Sequence, residues 1–251
     1  MLTHQRKALI LSRLQRDGRV IAKDFAAELD LSEDTVRRDM RDMAAVGLLA
    51  RVHGGALPLS PDLPDFSTRK SRAGKEKQAL ATRAVALVQP GQMIFLDGGT
   101  TNAEIARLLP QNLGLTVITH SPTIAVELER RSDIEVILIG GRLYRHSMVA
   151  VGAVAAEAIA RLRPHLFFLG ATSVHPQHGV TTGDAEEAAI KRLIASVSAE
   201  TYLCLTSEKL DTLSPCQILP LPALAGLIVG PSVEAARLTP YQVTGIALFQ
   251  A

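Results

Sequence analysis

The chain has 251 residues, 47 % of them apolar and 21 % charged, with a formal net charge of +2 and no tryptophan. That length suits one large domain or two smaller ones, and the apolar fraction is ample for a packed core. The composition excludes a low-complexity or disordered chain, the scarcity of aromatics argues against stacking on single-stranded nucleic acid, and no apolar run reaches membrane-spanning length. Charge is uneven along the chain. Residues 1–77 carry 15 Lys+Arg against 11 Asp+Glu, a net of +4, and the remainder carries 12 against 14, a net of −2. The sign suits a basic reader attached to a slightly acidic body.

In chain order, residues 3–16 form a first amphipathic helix with Ile10 and Leu14 inward and Gly18 as its stop. Ile21, Phe25 and Leu29 give a second helix the same period. Ser32 then caps a third helix, ended by Gly47, whose apolar stripe is Val36, Met40 and Met43. At 100° per residue Thr35, Arg37, Arg38 and Arg41 take the opposite arc, where guanidinium groups can meet phosphates and base edges. Asp39 lies nearer the apolar flank, placed to orient an arginine. Leu48 to Leu57 form two short stretches around a hairpin, with Arg51 and His53 on this wing. The expected architecture is a winged helix-turn-helix over 1–57 that reads duplex operator DNA through Ser32, Thr35, Arg37, Arg38, Arg41, Arg51 and His53.

Residues 58–75 contain Pro58, Pro61 and Pro64 and little periodicity, and are expected to be a semi-rigid linker. Over 76–251 the pattern alternates between helices (76–88, 101–109, 122–131, 152–162, 184–199) and β-rich runs (93–97, 116–120, 135–140, 166–171, 202–206, 227–230). Such alternation implies an α/β, Rossmann-like domain with a largely parallel sheet covered by helices.

Ligands of open parallel sheets sit at the carboxyl ends of the strands. Asp97, Gly98, Gly99, Thr100 and Thr101 join a strand to a helix there. Glycines admit a ligand to the backbone, and a helix N-terminus offers N–H groups to an anion. His120 and Ser121, and Gly141 after the next strand, occupy neighbouring strand ends, and Lys209 follows another. Taken singly, each of these reads better as turn chemistry or, for Lys209, as a solvated side chain. Asp184 and Glu187 have capping-box spacing at the start of a long helix, which leaves Glu187 a choice between capping and facing a ligand. His175 and His178 lack a third ligand at metal spacing, so no metal and no cofactor is expected. Cys204 sits in an apolar run as a small hydrophobe. The N-terminus has no apolar signal core, which leads to an expected cytoplasmic location.

Taken together these residues resemble the DeoR family of bacterial transcriptional regulators over nearly the whole chain. Arg6 through Ser32-x-x-Thr35-Val36-Arg37-Arg38-Asp39-Met40 matches the family's helix-turn-helix signature, and Arg51-Val-His53-Gly54-Gly55-Ala56 resembles its wing. The body resembles the family's sensor domain, similar in fold to ribose-5-phosphate isomerase. In that comparison Asp97 to Thr101 is the phosphate loop, Thr119-His120-Ser121 and Gly140-Gly141 are neighbouring ligand loops, and Lys209 approaches the ligand phosphate. Departures fall on ligand-facing loops: the family more often has Asn at 120, an acidic residue at 206, and Thr-Asp where Val229-Gly230 stands. The resemblance implies a repressor of a sugar or polyol catabolic operon, controlled by a phosphorylated sugar and acting as a dimer or tetramer. Two alternatives stand beside it: an isomerase-like enzyme with a DNA-binding appendage, with Glu187 as its base, and a constitutive DNA-binding protein.

Overall fold

The computed structural model describes residues 2–58, 66–72 and 74–251. The first helix, α1 (Thr3–Asp17), buries Ile10 and Leu14 and ends where Gly18, at φ 68°, donates its N–H to the Leu14 carbonyl. Strand β1 (Val20–Ile21) and helices α2 (Ala22–Glu28) and α3 (Glu33–Ala45) follow, then β2 (Ala50–Val52) and β3 (Gly55–Leu57). The three strands form an antiparallel sheet in the order β1-β3-β2, so three helices and a wing are present as expected.

One face differs. Ile21 pairs with Gly55 in β1 and is 43 % exposed, while α2 buries Ala22, Phe25 and Ala26. Strand pairing takes Ile21 out of the helix and moves the buried arc by one residue. Gly55 is required by close approach: a Cβ there would lie 2.0 Å from the Val20 carbonyl oxygen. In α3, Val36, Met40 and Met43 are all buried, and the Ser32 hydroxyl accepts the Thr35 N–H at 3.2 Å.

Of the expected linker, Pro61 and Pro64 lie outside the described residues. Its later part is not featureless, because α4 (Phe66–Ser71) is helical and α5 (Gly74–Val85) begins just after it. Alternation then continues through β4 (Met93–Leu96), α6 (Thr100–Leu108), β5 (Thr116–Thr119), α7 (Pro122–Glu127) and β6 (Glu135–Leu138). Beyond them come β7 (Arg142–Tyr144), β8 (Val149–Val151), α8 (Ala153–Ala160), β9 (Leu166–Leu169), β10 (Ser173–His175) and β11 (Gly179–Thr182). The last elements are α9 (Ala185–Val197), β12 (Glu200–Leu205), β13 (Cys216–Leu219), β14 (Gly226–Val229), α10 (Ala235–Gln242) and β15 (Leu248–Gln250).

Among the described residues the main sheet has seven strands in the order β15-β14-β12-β9-β4-β5-β6, every pairing parallel. Side chains alternate between two cores. Ile94 and Leu96 of β4 pack with Leu80 of α5, Ile105 of α6 and Ile124 of α7. Phe95 packs with Ile159 of α8, Ile194 of α9 and Tyr241 of α10 on the other side. Cys204 lies in the first of these cores, its thiol pushed up to about 12 by burial.

The chain leaves β4 toward β5 and β6, then returns to place β9 on the opposite side of β4. That reversal opens a crevice beyond the carboxyl ends of β4 and β9. The hairpin β7-β8 and the antiparallel β10-β11-β13 sheet grow from the same edge of the main sheet.

Candidate functional site

On the reader, Arg38 and Arg41 of α3 are exposed, as are Arg51 on β2 and His53 at the hairpin turn. Arg37 is half-buried because Glu33, one turn earlier, accepts from its Nε and Nη2 at 2.9 and 2.6 Å. The Thr35 hydroxyl lies 2.8 Å from that of Ser32. Asp39 points inward and takes Arg6 of α1 in a forked pair, Nε at 2.7 Å and Nη2 at 3.2 Å. The arginine that Asp39 orients is therefore 33 residues away on another helix, a partner that no local spacing could reveal.

In the sensor, the loop after β4 enters α6 through Gly99, at φ 114°, with no side chain capping the helix. The first N–H groups of α6 have no intrahelical acceptor and point into the crevice. Gly98 admits no side chain, since a Cβ would lie 2.2 Å from Val149 Cγ1. Across the crevice stands Lys209, whose Nζ donates to the Ala171 carbonyl at 2.9 Å. Burial, followed by the nearby charge of Arg69, lowers the Lys209 ammonium to about 8. Arg69, Arg72 and Lys77 line the same cavity, so five cations, counting Lys191 and Lys209, face two carboxylates, Glu187 and Glu208. Positive charge is therefore in excess around the cavity.

Behind its wall lies a buried charge network. Asp97 Oδ1 accepts from the Gly98 N–H at 2.7 Å and from His120 Nε2 at 2.8 Å, and Oδ2 accepts from the Gly170 N–H at 2.8 Å. Lys191 reaches Asp97 at 3.1 Å, Glu187 at 3.2 Å and the Gly170 carbonyl at 2.7 Å. Burial alone would raise the Asp97 carboxyl, but the Lys191 charge and the His120 hydrogen bond outweigh it and hold it at about 2. Glu187 is likewise lowered: burial opposes the shift, and Lys191 and the Thr182 hydroxyl prevail.

Of the expected effector residues, Gly98, Gly99, Thr100, Thr101, Glu187 and Lys209 line the cavity. Asp97 and His120 do not reach its wall; both are fully buried and brace the loop from behind. Ser121 donates its hydroxyl to the Met148 carbonyl at 2.7 Å, and Gly141 stands exposed just before β7, where an added Cβ would lie 3.0 Å from the Val151 carbonyl oxygen. Only half of a capping box forms at α9. Asp184 accepts the Glu187 N–H, whereas the Glu187 carboxylate turns inward to the Thr182 hydroxyl at 2.7 Å. Lys191 was not anticipated, although its i, i+4 spacing from Glu187 was visible. Arg69 and Arg72 were hidden in a segment that looked like a spacer.

Residues 6–61 match the DeoR-like helix-turn-helix domain and residues 72–230 the DeoR C-terminal sensor domain. The HTH-type transcriptional regulator GlpR of Haloferax volcanii is 32 % identical over 99 % of this chain and 98 % of its own. The putative aga operon transcriptional repressor of Escherichia coli O157:H7 is 28 % identical, covering 97 % and 92 %. The lactose phosphotransferase system repressor of Lactococcus lactis is 33 % identical, covering 80 % and 81 %. Among solved structures, ribose 5-phosphate isomerase A of Methanocaldococcus jannaschii aligns at a TM-score of 0.40 and 18 % identity, over 55 % of this chain and 54 % of that one. A winged helix joined to a doubly wound sensor defines a DNA-binding transcriptional regulator. This chain belongs to the DeoR family.

Proposed function

We propose that the protein represses a sugar or polyol catabolic operon and that a phosphorylated sugar, bound at the crevice, controls it. The observation that carries this reading is the uncapped N-terminus of α6 facing Lys209 across a cavity with excess positive charge. A phosphate monoester is dianionic near neutral pH and accepts hydrogen bonds from N–H groups and ammonium alike. Repressors of the glycerol-3-phosphate regulon and of the lactose phosphotransferase system are among its relatives, which supports that ligand class. In this reading residues 1–57 are the reader, 58–75 the tether and 76–251 the effector and assembly domain. Ser32, Thr35, Arg37, Arg38, Arg41, Arg51 and His53 contact operator DNA. A homo-oligomer in the cytoplasm presents paired readers to a repeated site.

Thermal unfolding against a panel of sugar phosphates tests the ligand. A compound at 100 times its Kd stabilises the native state by about 2.7 kcal/mol. Lys209→Ala is expected to weaken that compound roughly tenfold or more, the worth of one charge-assisted hydrogen bond. An anion beside Lys209 raises its affinity for a proton, so binding weakens as pH climbs above about 8. Absence of any shift would favour a constitutive DNA-binding protein.

An enzymatic role needs a general base near neutrality. Glu187 is ill suited, because Lys191 and Thr182 stabilise its carboxylate and lower its affinity for a proton. Turnover of ribose 5-phosphate abolished by Glu187→Gln would reverse that judgement.

A further inference from the structure

We propose that α4 and the turn that follows it, on the tether between reader and sensor, form an effector-dependent clasp whose Arg69 and Arg72 contact the anionic group of the ligand. The inference rests on the effector reading above and extends it to how occupancy reaches the reader. Arg69 and Arg72 line the cavity opposite the Gly98–Thr101 loop, although both belong to the segment leading out of the reader. The C-terminal part of the helix is seated by sensor groups. Arg69 Nη2 donates to the His146 carbonyl at 3.0 Å, and Lys70 pairs with Glu127 of α7 at 3.2 Å. Lys77, itself buried, donates to the carbonyls of Arg69 and Arg72 at 2.6 and 2.5 Å.

This seat is positively charged at the cavity, with Arg69, Arg72, Lys77 and Lys209 all converging on it. Like charges brought together in an empty site repel, and an anion placed among them removes the repulsion. Ligand binding therefore favours docked α4, and an empty cavity favours release. The consequence for the reader is one of reach. Strand β3 ends at Leu57 and α4 begins at Phe66, so eight residues (58–65) join the reader to a docked α4. At about 3.4 Å per residue they span at most ~27 Å. With α4 undocked as far as Gly74 the tether has sixteen residues and its maximum span is about 54 Å. Operator half-sites lie about 34–36 Å or multiples of that apart, and the longer tether widens the range of spacings that paired readers can straddle.

Trypsin cleaves after Arg69, Lys70 and Arg72 only when α4 leaves its seat, so limited digestion of the full-length protein reads the clasp directly. A sugar phosphate that stabilises the wild type, or inorganic phosphate if it does so, is expected to slow cleavage at these three bonds by about fivefold or more. The double variant Arg69→Gln, Arg72→Gln is expected to bind that compound about tenfold more weakly. A compound that stabilises the protein yet leaves cleavage at 69–72 unchanged overturns the clasp and leaves the effector reading intact. A double variant with wild-type affinity overturns it equally. If neither the panel nor phosphate stabilises the wild type, the effector reading fails and the clasp goes with it.

Discussion

Replacing Asp97 by alanine is expected to destabilise the sensor by about 3–5 kcal/mol, measured by urea unfolding of the full chain. The cost has a specific origin. The Asp97 carboxylate is fully buried and satisfies four groups: the Gly98 and Gly170 N–H groups, His120 Nε2 and Lys191 Nζ. Removing it leaves two buried cation-forming side chains short of an acceptor and two backbone donors unpaired. Asp97→Asn keeps the shape and one acceptor oxygen, so its difference from the wild type isolates the charge.

Sign also matters in acid. Because the folded carboxyl is held at about 2, below its unfolded value near 3.9, it contributes stability above pH 4 that is lost as pH falls toward 2. The alanine variant should lose that acid-sensitive component. Since Asp97 also fixes the Gly98 N–H at the mouth of α6, stabilisation by sugar phosphates should fall with it. A loss under about 1 kcal/mol would show that the network is not the keystone of the loop.

Arg38→Ala is expected to have the largest effect on operator binding. A good bidentate contact between arginine and a base discriminates by about 1–3 kcal/mol. With two readers on one operator the change would count twice, for a loss of about 2–6 kcal/mol, or about thirtyfold or more in affinity. Arg41→Ala should instead weaken all sequences alike and reduce the salt slope, as the loss of a phosphate contact does. Arg37 is the weaker candidate for a single-site effect, because its guanidinium must first leave Glu33. Binding measured on promoter and random fragments at two salt concentrations separates these outcomes. Variants at Arg38 and Arg41 that both bind the promoter like the wild type would remove α3 from the role of recognition helix.

Local pattern carried far in this chain. The stripe Val36-Met40-Met43 in α3, the six β-rich runs and the five intervening helices were all legible, because burial on one face imposes a period that neighbours within a few residues reveal. Gly98-Gly99-Thr100 was legible for the same reason: a turn between a strand and a helix needs small residues wherever it lies. What sequence could not supply was pairing between distant positions. Ile21 reads as helical until Gly55 claims it for a strand. Nothing in the local pattern at His120 and Ser121 shows that the hairpin after β6 covers them. Arg6 finds Asp39, and Lys191 finds Asp97, across 33 and 94 residues, where no periodicity operates. The short strands and helices beyond the regular alternation, including α4, form because the tertiary surface supplies partners for their backbone groups, and helices of six residues do not persist without such partners. The sequence by itself determined the class of reader, the alternating sheet and the glycine turn at the head of α6. Only the tertiary structure decided which charges are buried together and that the tether contributes a wall to the cavity, since desolvation and long-range contact exist only once the chain has closed on itself.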